Sequence, residues 1–195
     1  MNFVQVWFVG YANPVRLVEE LRGKSAPQWG LYASLLRALM DSLLLYLPVF
    51  LMGRIPPTPS LLPFIPTEKY YGALIVLTPF VFLAQWLIGG AAVHVCLRLS
   101  KRPSDIDQIL NIAGMATLVV GAFLGVWDWA WFFLGGMNQY LLGTSHLVID
   151  LWWVVIFVVG LKRILGVPVW LGILLTILAF AADMPLAIMI MRSPF

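Results

Sequence analysis

The chain has 195 residues, of which 62% are hydrophobic and only 11% charged, and its mean hydropathy is +0.93. Soluble domains run at roughly 45–50% apolar and about 25% charged, so a water-soluble globule is excluded and lipid is the relevant solvent. The net charge of +3 does not point to nucleic acid, because Lys and Arg stand in small clusters between apolar blocks with no long basic run; anionic headgroups explain them better.

The first ten residues carry no charged side chain and lack the basic start of a signal peptide. Asn13-Pro14 reads as an N-cap followed by a first-turn proline. Pro14, Leu17, Val18 and Leu21 then repeat at helical spacing, with Arg16, Glu19, Glu20 and Gly23 on the other face. Residues 14–23 are therefore expected to form a short amphipathic helix lying on the membrane surface.

A bilayer core of about 30 Å needs about 20 apolar residues of helix. Five blocks meet that length, at about 31–53, 72–97, 105–127, 145–165 and 168–191. The first is interrupted by Arg37 and Asp41, which stand at i, i+4 and can pair on one helix face. Ser104 with Asp107 resembles a capping box before the third block, and Gly166 with Pro168 reads as a stop and restart. Between the spans, Arg54–Tyr71 holds Pro56, Pro57, Pro59, Pro63 and Pro66 and reads as an extended, semi-rigid loop. Asp128–Gly143 holds Trp129, Trp131, Phe132, Phe133 and Tyr140 and reads as an interfacial aromatic belt, with a short helix lying flat as the other form it can take. Cys96 is the one cysteine, so neither an intrachain disulfide nor a cysteine metal motif is expected.

Lys and Arg in the connections set the orientation. Arg16, Arg22, Lys24, Arg98, Lys101, Arg102, Lys162 and Arg163 fall on one side, against Arg54, Lys69 and Arg192 on the other. The expected fold is an all-α integral membrane protein of about five transmembrane helices in a single domain. Its amino terminus lies in the cytoplasm and its carboxyl terminus outside.

Ionisable groups in a membrane cost about 2.5–3.5 kcal/mol each on insertion scales, which makes them the natural place to look for function. Asp150 and Asp183 flank the hairpin turn near Gly166 at similar sequence distances, so a rise of about 1.5 Å per residue puts them at one depth in the outer half. His146 lies one turn outward. Facing carboxylates there would share a proton or hold a cation, with Asp150, Asp183 and His146 as the metal-ligand set; the plainer reading has each capped by a different neighbour. A second polar layer, Arg37, Asp41, His94 and Asn111, is expected towards the cytoplasm, with an intrahelical ion pair as its plainer reading. Pro48, Pro79 and Pro185 fall in outer halves and can splay the bundle into an outward cavity. Gly89-Gly90-Ala91-Ala92 and the pair Gly121 and Gly125 are expected at close helix contacts. No P-loop, GxGxxG, HExxH or GxSxG motif is present, so no catalytic residue is named, no enzyme is expected, and no cofactor beyond a cation.

Four stretches together resemble a known family. They are Asn13-Pro14 leading into the first span, Gly89-Gly90-Ala91-Ala92-Val93-His94, the basic turn Ser100-Lys101-Arg102-Pro103-Ser104, and the hairpin Ile156–Leu171. The pattern resembles the Yip family, a membrane domain named for yeast proteins that interact with Ypt/Rab-type GTPases. The resemblance implies a five-helix fold with a cytoplasmic amino terminus. Eukaryotic relatives act in vesicle traffic and carry a longer amino-terminal region. This chain has about thirty residues there, which speaks against GTPase binding and looks more like prokaryotic members in a cytoplasmic membrane. The first functional expectation is thus a non-enzymatic membrane scaffold or membrane-organising protein, with lipid and a membrane-protein partner or second copy as its contacts. The competing expectation is a small transporter, channel or ion-binding protein that uses Asp150, Asp183 and His146.

Overall fold

The computed structural model describes residues 1–24, 26–56, 62, 64–134 and 138–190, and every regular element among them is helical. In chain order these are α1 (Phe3–Val9), α2 (Pro14–Leu21), α3 (Gln28–Met40), a π-helical turn (Asp41–Tyr46), α4 (Leu47–Leu51), a single 3₁₀ turn (Thr67–Lys69), α5 (Tyr70–Leu99), α6 (Ile106–Phe133), α7 (Gln139–Leu165) and α8 (Val169–Ile190). Four stretches are long and apolar enough to cross a membrane: Gln28–Leu51, Thr67–Leu99, Ile106–Phe133 and Val169–Ile190. The remaining sequence block, at 145–165, falls in α7, whose 27 residues pack against α2, α6 and α8. Pro57, Pro59 and Pro63 of the proline-rich loop, and Met191 and Arg192, lie outside the described residues, as does part of the Asp128–Gly143 segment.

Helix α6 is the centre of the bundle. From Gln108 to Ala122 every residue but Thr117 is buried, whereas from Phe123 onward only Asp128 is. Small residues allow this. A Cβ on Gly114 would run into the backbone of Gly30 on α3, and one on Gly90 of α5 would strike Leu110. Backbones that close require glycine. The stretch at Gly89-Gly90 therefore behaves as expected, but Gly121 and Gly125 do not form a helix-contact pair. Gly121 faces the Arg37 side chain, and Gly125 has nothing within 4 Å.

The α2 helix also differs from its expected place. Its N-cap is as read, with Asn13 Oδ1 accepting from Arg16 N at 3.0 Å. Its apolar face does not lie against lipid, however: Leu17, Val18 and Leu21 are each 0% exposed, buried against α7 and α6. Together α1 and α2 form a hairpin whose tip reaches into the bundle, where Trp152 of α7 donates to Gly10 O at 2.9 Å and Gly10 packs by Val119 of α6. The hairpin's other end meets the α7 terminus: Arg22 donates to the carbonyl of Arg163, and Arg163 stands 3.9 Å from Glu19. Amphipathic periodicity identifies an apolar face, but protein and lipid satisfy that face equally well, so the pattern alone could not choose between them.

Two further boundaries moved. Helix α6 is capped by Asp105, whose carboxylate accepts from Asp107 N and Gln108 N, so Ser104 and Asp107 form no capping box. Its helix runs on to Phe133, so Trp127 to Phe133 form about its last two turns rather than a separate belt or a separate helix. Trp129 donates to Leu44 O at 2.8 Å. Leu44 is four residues before Pro48, which has no N–H to offer that carbonyl, and the widened turn at Asp41–Tyr46 lies just ahead. The indole thus satisfies the backbone acceptor that the proline leaves. The stop at Gly166 is as expected, with a left-handed φ of 68° that glycine adopts freely.

A charged cavity in the outer half of the bundle

One cavity of about 750 Å³ runs from mid-bundle towards the α6–α7 connection, lined by α3, the π-helical turn, α5, α6, α7 and α8. It collects most of the sequence's ionisable candidates. Arg37, Asp41, His146, Asp150 and Asp183 all line it, and so does Asp128. Members of both expected polar layers thus line one cavity. The first span begins at Gln28, so Arg37 and Asp41 sit in the middle of their helix rather than at its cytoplasmic end. They share one chamber with the outer set.

The charges are arranged unevenly. Arg37 makes the i, i+4 ion pair with Asp41 that its spacing suggested, and its guanidinium also stands over the Phe82 ring, 5.6 Å from the centroid. Gly121 makes the room for it, since a Cβ there would meet the guanidinium. The charge of Arg37 reaches Asp128 and Asp150, and also Tyr11 at the hairpin tip, whose phenol burial raises above its ordinary pKa. His146 bonds Asp128 across the α6–α7 pair, Nε2 to Oδ1 at 2.7 Å. Asp150 lies within the influence of His146 and Arg37, without a hydrogen bond to any described residue's side chain. Asp183 lies by Gly89 of α5 and likewise makes no ion pair among the described residues. Among those residues no group of three His, Cys, Asp or Glu side chains is placed to hold a metal ion.

Two candidates lie outside the chamber. His94 Nδ1 is 2.9 Å from Ser104 Oγ, which ties the end of α5 to the turn after it. Asn111 is fully buried; its Oδ1 accepts from Gly30 N at 2.8 Å and its Nδ2 donates to Ala26 O at 2.9 Å. No side chain of the α3 N-cap residue, Pro27, caps that helix, so Asn111 supplies across the interface what the local sequence lacks. Both residues serve to fasten the bundle. Asp128 is the functional candidate that sequence reading missed. Its signal was present, an acid followed eighteen residues later by a histidine, but placing Asp128 in a loop hid it.

Aromatic walls separate the charges. Trp153 stacks on Phe157 at 4.7 Å and tilts against Phe180 at 4.8 Å, while its indole N–H donates to Thr117 Oγ1 at 3.0 Å. Trp86 is held by a 2.8 Å bond to Leu110 O. Fixed edges keep these rings oriented towards the chamber they line.

These features define a class: a helical membrane protein with a polar, aromatic-walled cavity inside its bundle. No protein-family model, curated protein or solved structure matches this chain. The resemblance to the Yip family accordingly rests on the stretches quoted above.

Proposed function

We propose that the protein is a small transporter or solute-binding membrane protein whose working site is the cavity holding Arg37, Asp41, Asp128, His146, Asp150 and Asp183. One observation carries this reading: six Arg, Asp and His side chains line one chamber, four of them on helices apolar enough to cross a membrane and two, His146 and Asp150, on α7. A purely structural bundle gains nothing from that arrangement, because each such group costs about 2.5–3.5 kcal/mol on insertion scales. Arg37 with Asp41 and His146 with Asp128 offset part of the cost. Asp150, which stands within the influence of His146 and Arg37, and Asp183 have no ion-pair partner among the described residues, and carriage of a solute gives them a role. The scaffold reading leaves them unexplained.

The same proposal takes α7 as a fifth span and puts the amino terminus in the cytoplasm. In support, α7 is 27 residues long, or about 40 Å at 1.5 Å per residue. The contact of Arg22 with Arg163 brings two of the basic clusters to one end, as the positive-inside rule asks. The cavity then opens from mid-membrane towards the outer face.

The test is solute access. Leu124 lines the chamber, so Leu124→Cys in a Cys96→Ala background should react with a charged, membrane-impermeant thiol reagent applied from outside. Failure to react from either side would remove the reading.

A further inference from the structure

The ligand class of this chamber follows from what remains unbalanced inside it, and the inference rests on the solute-binding reading just given. Its acids are Asp41, Asp128, Asp150 and Asp183, and its bases are Arg37 and His146. Arg37 is taken by Asp41 and His146 by Asp128. Asp150 and Asp183 remain, so the chamber has negative charge to spare. An anionic solute would meet both carboxylates and find its cations engaged. A neutral one would desolvate them without compensation.

Size then decides between kinds of cation. A bare metal ion asks for a close cage of oxygen ligands at about 2–2.6 Å, a far smaller space than this chamber. The volume of about 750 Å³ lies in the range of about 300–1,000 Å³ that holds drug-sized molecules. The same lining carries the aromatic rings of Phe82, Trp86, Trp153 and Phe180. Ring faces attract large, weakly hydrated cations, by about 0.5–2 kcal/mol each according to desolvation. We propose that the chamber binds a lipophilic organic cation, an aromatic amine or quaternary onium, between the Asp150 and Asp183 carboxylates and the rings of Trp153 and Phe180.

Tetraphenylphosphonium is the probe, measured by equilibrium binding to the purified full-length protein in detergent. Saturable binding of one probe per chain is expected, with protection of Leu124→Cys from thiol labelling. Tetraphenylborate, of the same shape and opposite charge, should not compete. Asp150→Asn and Asp183→Asn should each weaken binding about ten-fold or more, as removal of a desolvated charge does. Trp153→Leu should weaken it about three- to thirty-fold, the range of one cation–π contact. Variants are compared only where gel filtration and thermal unfolding match the parent. Absent tetraphenylphosphonium binding, or equal competition by tetraphenylborate, overturns the inference. If Leu124→Cys still labels in that case, the solute-binding reading survives; if labelling fails too, both fall.

Discussion

The two halves of α6 follow different rules within one helix. From Gln108 to Ala122 it is buried on nearly every side, with Gly114 against the Gly30 backbone and Asn111 bonded into the start of α3. Beyond Phe123 the neighbours draw apart and Gly125 meets nothing, while one face of the helix, from Ala113 and Thr117 to Leu124 and Asp128, lines the chamber. Close packing uses glycine to bring backbones together. The chamber wall instead is held by an indole hydrogen bond between helices, from Trp153 to Thr117. Tight packing on the other faces of α6 lets its chamber face border an unfilled, charged interior, and sensitivity to substitution is therefore expected to differ between the two halves of this helix.

The sharpest way to break that difference is at the boundary between the halves. Arg37→Met would leave Asp41 buried without its partner and should cost about 3–5 kcal/mol, the usual penalty for an orphaned buried charge. The double change Arg37→Met with Asp41→Leu should recover most of it, which denaturant titration in detergent would measure. A smaller loss is expected in the packed half: Gly114→Ala forces α6 off the Gly30 backbone, at about 2–3 kcal/mol for overpacking that cannot relax. The same change at Gly125, on the same helix, should stay within about 0.5 kcal/mol. Equal melting temperatures for the two alanine variants would refute the division of α6. Asn111→Ala should cost about 1–3 kcal/mol, since Gly30 N and Ala26 O both lose a buried partner. Smallest of all, Asp183→Asn should leave thermal stability unchanged or slightly raised, because it removes a charge that no described neighbour balances. A clear destabilisation by Asp183→Asn would mean that this carboxylate fastens the bundle and would place it with Asn111.

Much of this was legible in the chain. The blocks at 72–97, 105–127 and 168–191 each fall on a long apolar helix, and the i, i+4 spacing of Arg37 and Asp41 predicted their ion pair. Local stop signals such as Gly166 read correctly because their chemistry is local. Asp150, Asp183 and His146 were expected to share a level, and they share a cavity. The misreadings have a common cause. Whether Leu17 and Val18 face lipid or protein, whether Gly121 meets a helix or a guanidinium, and whether Asn111 lines a pocket or caps α3 all depend on residues more than eighty positions away in the chain. Hydropathy counts what a residue prefers to leave, which is water, and says nothing about what it meets instead.

The sequence by itself determined the solvent, the helical class and the set of ionisable groups, because in lipid a backbone must satisfy its own hydrogen bonds and every charge stands out against an apolar background. Tertiary structure alone decided which of those charges are neutralised. Asp128 found His146, Asp41 kept Arg37, and Asp150 and Asp183 were left without an ion pair among the described residues in one chamber with aromatic rings. Pairing between charges on different helices depends on distance and facing across the bundle, and these follow from how α3, α6, α7 and α8 pack, which no single helix specifies.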